Sequence, residues 1–133
     1  MSPQSYAVRP ARPDDVPAVV RMVHELAEFE RAPELCHLTD AQLHAALFGP
    51  APALYGHVGV DADDKPMGYA LWFLNFSTWE GVHGIYLEDL FVRPKARGSG
   101  AGRALLATLA SLCVERGYRR LGRQGLGRPG QGR

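Results

Sequence analysis

Cysteine is scarce in this chain of 133 residues: Cys36 and Cys113 are the only two. They form no C-x-x-C pair and cannot build a disulfide framework. No apolar run approaches the ~20 residues of a membrane-spanning helix. The N-terminal MSPQSYAVRP lacks a signal-peptide pattern. The five histidines are scattered, and none sits at metal-ligand spacing with a supporting acid, so no metal site is expected. A net charge of +1 names no partner. Internal repeats are absent as well. These absences leave a cytoplasmic protein with no membrane partner as the expectation.

What is present has the size of one domain. The apolar share of 46% and charged share of 22% are ordinary for a globular chain. Charge is unevenly placed: residues 1–118 carry −4, and the last fifteen carry +5 from Arg119, Arg120, Arg123, Arg128 and Arg133. An acidic body draws cationic substrates weakly, and a basic tail draws anions.

Hydrophobic periodicity predicts the elements. Residues 5–10 read as a short strand. Asp14 is a candidate N-cap for a helix over about 15–31, with Val16, Val19, Val20, Val23, Leu26 and Ala27 on one face. Thr39 and Gln42 fit a capping box that opens a second helix, which Gly49-Pro50 ends. Residues 54–60 and 66–76 read as a hairpin turning at Asp61–Lys65. Ser77–Gly81 is a loop carrying Trp79, and 84–93 is a further strand. A helix over about 102–116 follows, with Leu105, Leu106, Leu109, Leu112 and Cys113 on one face and Gly117 as its C-cap. The stretch 122–133, rich in Gly, Arg, Gln and Pro, has no period of 2 or 3.6 and too little apolar surface to offset its ordering entropy.

The chemistry concentrates between the fourth strand and the last helix. Arg97-Gly98-Ser99-Gly100-Ala101-Gly102-Arg103 joins them. Glycines let a backbone turn with several N–H groups facing one point, and the helix behind adds its unpaired donors and dipole. The result is an anion site suited to a pyrophosphate. It is not a Walker A loop, because Gly102 is followed by Arg103-Ala104. It is not a dinucleotide fingerprint either: Gly98, Gly100 and Gly102 are spaced by two throughout, and no second β–α unit follows. A plain glycine turn before a helix stays open as the bland reading.

Arg97-x-x-Gly100-x-Gly102 after the strand YLEDLFVRP resembles the [QR]-x-x-G-x-[GA] motif of the GNAT acetyltransferases. FERAPELCHLT (29–39), STWEG (77–81) and YLEDLFV (86–92) resemble the diamine branch of that family, which includes the spermidine/spermine and thialysine acetyltransferases. The resemblance covers about residues 6–120. It implies an α/β (α+β) fold with a mixed, mostly antiparallel sheet and helices on both faces. It implies acetyl-CoA as cosubstrate and a small-molecule amine as acceptor. A homodimer is the expected assembly, with no specific nucleic-acid partner. Pyrophosphate would meet the amides of Gly98–Arg103, that is Gly98, Ser99, Gly100, Ala101, Gly102 and Arg103. Pantetheine would pair with the backbone of Leu90, Phe91 and Val92. Arg93, Lys95 and Arg97 are either solvated charges or phosphate contacts.

A protonated amine has no lone pair, so the reaction needs a base. Glu88 and Asp89 are the candidates. Adjacent residues of a regular strand face opposite ways, so they address one space only if a bulge breaks the alternation. By resemblance Glu88 is the base, acting through a water. Trp79 and Tyr86 either line the amine pocket, where aromatic faces attract cations, or pack structurally. Cys113 reads as a small core residue and Cys36 as a loop thiol.

After Gly117-Tyr118 the family continues into a second splayed strand and a helix bearing a tyrosine general acid. This sequence turns to glycine and arginine instead. The expectation is therefore residues 1–118 as a GNAT domain lacking its C-terminal part, and 119–133 as a Gly/Arg tail with no strand beside 84–93. An impaired CoA-binding module or a swapped dimer, and an Arg/Gly-dependent nucleic-acid binder, stand as alternatives. The last is weakened because the tail has no aromatics for base stacking.

Overall fold

The computed structural model describes residues 6–123. Each element follows from a local feature of the chain. Strand β1 (Ala7–Pro10) leads through a short 3-10 turn at Pro13–Asp15 into α1 (Val16–Phe29). Asp15, not Asp14, organises this entry. Its carboxylate accepts from the Arg12 N–H at 2.7 Å and from the Arg9 guanidinium at 2.7 and 3.0 Å, so the more buried of the two acids takes the role. Helix α2 (Asp40–Phe48) opens on the expected capping box, with Gln42 N–H donating to Thr39 Oγ1 and Thr39 N–H to Gln42 Oε1, both at 3.1 Å.

Strands β2 (Tyr55–Val60), β3 (Pro66–Ser77) and β4 (Val82–Val92) form an antiparallel meander with β1 on its outer side. Helix α3 (Ala101–Arg116) returns across the sheet and ends where Gly117 turns left-handed at φ +72°. The order is β1-β2-β3-β4-β5, all antiparallel except the last pair. This is the mixed, mostly antiparallel sheet expected.

Strand β5 (Leu121–Arg123) is a departure from that expectation. It pairs in parallel with Ile85–Leu87 in a stretch where the sequence predicts no strand. Backbone bonding and a single leucine suffice. Ile85 N–H donates to the Arg120 carbonyl at 3.0 Å, and Leu121 packs, half-buried, on the core below α3. Gly84 makes room, since a Cβ there would lie 2.9 Å from the Arg120 carbonyl oxygen. The rest of the expected tail, 124–133, lies outside the described residues.

Helices cover both faces of the sheet. Val16, Val19, Val20, Met22, Leu43 and Leu47 from α1 and α2 meet Val58, Tyr69, Leu71 and Phe91 on one side. On the other, Ala101, Leu105, Leu109 and Cys113 from α3 meet Ala70, Trp72, Ile85, Leu87 and Val92. Leu109 is fully buried there, whereas Val114 on the same helix is 81% exposed. Leu109→Ala should therefore cost about 2–5 kcal/mol. Val114→Ala should stay within about 0.5 kcal/mol. Urea titrations check this: the first midpoint should fall with an unchanged slope and the second should not move.

Candidate active site

The β3–β4 ladder slips by one residue. Leu71 lies opposite Asp89, but Trp72 lies opposite Leu87, so Glu88 is the extra residue of a β-bulge. The bulge exchanges the faces of the strand. Before it, Ile85 and Leu87 point to α3; after it, Leu90 and Val92 do. Asp89 and Phe91 thereby turn to the α1–α2 side. The proviso on adjacent carboxylates is met: the alternation is broken at Glu88-Asp89.

The two acids sit in different surroundings. Glu88 is exposed, and Asp89 is half-buried. Burial pushes the Asp89 carboxyl above its ordinary value of 3.8, and the Glu88 charge beside it, with a smaller effect from Glu30, adds to the rise. Tyr69, fully buried, donates its hydroxyl to Asp89 Oδ2 at 3.2 Å and works the other way. Burial raises the Tyr69 phenol far above its ordinary 10.0, and Asp89 adds to the rise, so it stays a donor. Tyr69 and Glu30 were missed from sequence. Tyr69 looks like an ordinary strand aromatic, and Glu30 closes α1 far from YLED in the chain.

Downstream, a 3-10 turn at Pro94–Ala96 leads into the glycine loop. Gly98 and Gly100 have φ of +82° and +94°, the left-handed region that favours glycine. Helix α3 starts directly behind. Ser99 Oγ accepts the Ala101 N–H at 3.2 Å and the Gly100 carbonyl that of Ala104, which leaves the Gly102 and Arg103 amides of the first turn for an anion. A cavity of about 510 Å³ lies here, lined by Val92, Ala96 and Arg97–Arg103. The residues present thus fit a pyrophosphate cradle.

Beyond Leu87 nothing among the described residues pairs with the β5-side edge of β4. The backbone of Leu90, Phe91 and Val92 lies opposite Ala70, Tyr69 and Gly68 on its other side. Its free edge runs from the bulge to the cradle. Arg97 Nε donates to the Val92 carbonyl at 2.9 Å, and its guanidinium lies 4.9 Å from the Phe29 ring, so it braces the loop as well as lining it. Arg93 forms a two-pronged bond to Glu25 at 3.0 Å, joining β4 to α1. Lys95 is exposed.

The aromatic candidates separate. Tyr86, half-buried, lies two residues before the bulge and packs on Phe73 at 5.0 Å. Trp79 sits at the tip of the β3–β4 hairpin, 96% exposed. Glu88 lies six β4 residues past the hairpin's first β4 residue, about 20 Å along the strand. Trp79 and Glu88 therefore stand well apart along the hairpin. Among the described residues no helix is long and apolar enough to cross a membrane.

The fold and the relatives are those of an acyltransferase. The chain matches the acetyltransferase (GNAT) family over residues 19–126 and belongs to it. It is 31% identical to the thialysine N-epsilon-acetyltransferase of Bos taurus over 121 residues, covering 86% of this chain and 71% of that protein. It is 30% identical to the spermidine/spermine N(1)-acetyltransferase-like protein 1 of Homo sapiens, over 82% of this chain and 16% of that one. These relatives place it in the diamine acetyltransferase branch. A possible acetyltransferase from Clostridium difficile shares the fold with a TM-score of 0.75 at 19% identity, covering 95% of this chain and 82% of that one.

The raised Asp89 carboxyl has a stability consequence. Its folded-state value lies above the unfolded one, so ionisation opposes folding. Stability falls as pH rises from 3.8 through the folded-state value. Asp89→Asn should accordingly raise Tm at about pH 7, with the gain fading below about pH 3.8. Melting curves by circular dichroism across that range check it, and a gain independent of pH would refute the assignment.

Proposed function

We propose that this chain transfers an acetyl group from acetyl-CoA to a primary amine of a small polyamine or amino-acid-like substrate. The observation that carries the reading is the bulge at Glu88. It sets two carboxylates at one end of a free strand edge whose other end is the glycine cradle. From Glu88 to Val92 that edge spans about 13 Å. The pantetheine arm would run along it, with pyrophosphate on the Gly98–Arg103 amides and the thioester brought to the bulge.

Asp89, Glu88 and Glu30 gather negative charge there, which suits an ammonium group. Asp89, half-buried and held by Tyr69, is the fixed anchor. Exposed Glu88 takes the first proton of the ammonium, through a water, and so frees the lone pair. The amine nitrogen then bonds to the thioester carbonyl carbon and the C–S bond breaks. The nitrogen's second lost proton passes to the departing CoA sulfur. The names of the relatives support a diamine or a lysine-like side chain as the acceptor. The exposed Trp79 and Phe76 at the hairpin tip support a homodimer, which light scattering would check.

A purified chain given acetyl-CoA and a panel of spermidine, thialysine and ornithine should yield a mono-acetylated product by mass spectrometry. Glu88→Gln should lower the rate by about 10²–10⁴ and flatten the acidic limb of the pH–rate profile. Near-normal turnover would make Glu88 a structural carboxylate. The cradle is tested separately. Gly100→Pro cannot reach a φ of +94° and should weaken CoA binding by calorimetry. Unchanged affinity would remove the cradle from the site.

A further inference from the structure

A second cavity, of about 290 Å³, opens at the other end of α3 and shares no residue with the cradle. Arg116 at its mouth is fifteen helical residues from Ala101, about 22 Å along the axis. Phe48, Tyr55, Trp72 and Leu112 supply apolar walls. Trp72 is the floor. Tyr55 stacks on it at 4.8 Å, and the His57 ring lies nearly parallel at 5.9 Å.

Two polar groups meet in this apolar setting. His57 is only 8% exposed. Trp72 Nε1–H, which can only donate, bonds to His57 Nδ1 at 3.1 Å. The imidazole proton therefore sits on Nε2. Burial, and then the Arg116 charge, lower the His57 pKa below its ordinary 6.5, so the ring is neutral at pH 7 and Nε2–H is a single donor. Among the described residues Nε2 has no acceptor, and no sealed side-chain nitrogen lacks a partner, so this atom opens into the cavity. Arg116 contributes the second donor set. Its guanidinium lies 6.0 Å from the Trp72 ring and 5.8 Å from that of Tyr118, and no carboxylate pairs with it among the described residues.

Donors without acceptors, one of them cationic, over an aromatic floor define a complementary ligand. We infer that this cavity binds a small planar organic carboxylate, separate from the acetyl-transfer cleft. The carboxylate would take two N–H bonds from Arg116 and one from His57 Nε2, while its apolar body fills the space beside Trp72. An amine is disfavoured, because Arg116 already occupies the cation-attracting ring face. The volume lies at the low end of ligand pockets, about 300–1,000 Å³, and admits a molecule of one or two rings.

Trp72 reports directly on occupancy. With Trp79→Phe as background it is the one tryptophan of the chain. Benzoate should change its fluorescence saturably, whereas benzylamine at the same concentrations should not. Arg116→Gln should weaken benzoate at least about tenfold, with His57→Gln as the second variant should the first not fold. Calorimetry with the same full-length chains provides an optical-free check. A missing benzoate response in the folded background protein overturns the inference. So does equal benzoate affinity in the Arg116→Gln chain, or an equal response to benzylamine.

Discussion

A sheet buried on both faces constrains its central strands severely, because each side chain must meet the correct core. Strand β4 meets this constraint with one extra residue. Without the bulge at Glu88, Ile85, Leu87, Asp89 and Phe91 would share a face, and a carboxylate would enter a core. With it, Leu90 and Val92 continue the α3 layer started by Ile85 and Leu87. Asp89 turns toward Tyr69, and Phe91 joins Val19 and Leu71 in the opposite core. Bulges also sharpen local twist. Here the free edge of β4 begins where the β5 pairing stops.

Much of this was legible in the chain. The reciprocal bonds of Thr39 and Gln42, the glycine cap of α3 and the meander of three strands were all written in local residue types. The bulge too had a trace. Ile85, Leu87, Leu90 and Val92 are apolar at spacings of two, three and two, a slip of one in a period-2 pattern.

What sequence could not give was partnership. Asp14 and Asp15 are equivalent as letters; only the Arg9 guanidinium, delivered by β1, distinguishes them. Trp79 and Tyr86 are equal candidates as letters; only the hairpin sets Trp79 at its tip and Tyr86 beside the bulge. β5 has no periodicity of its own, because its order comes from the Ile85 backbone and a slot that Gly84 leaves open. Tyr69 acquires a role only when a neighbouring strand sets Asp89 opposite its ladder neighbour Leu71.

The arrangement of charge follows from which acids are given an arginine. Asp15 and Asp64 share Arg9, Asp64 also meets Arg12, and Glu25 is bound by Arg93. Asp89, half-buried, has a neutral phenol as its hydrogen-bond partner and other acids as its charged neighbours. Its negative charge is supported but not cancelled. Three residues further on, Val92 reaches the cradle, where left-handed glycines and the first turn of α3 offer positive dipole ends. The field along this edge of β4 thus changes sign over about 10 Å. On the proposed function, an ammonium group is favoured at the bulge and a pyrophosphate at the loop. A molecule with phosphates at one end and a thioester at the other therefore has one favourable direction in which to lie, with its reactive end toward the amine.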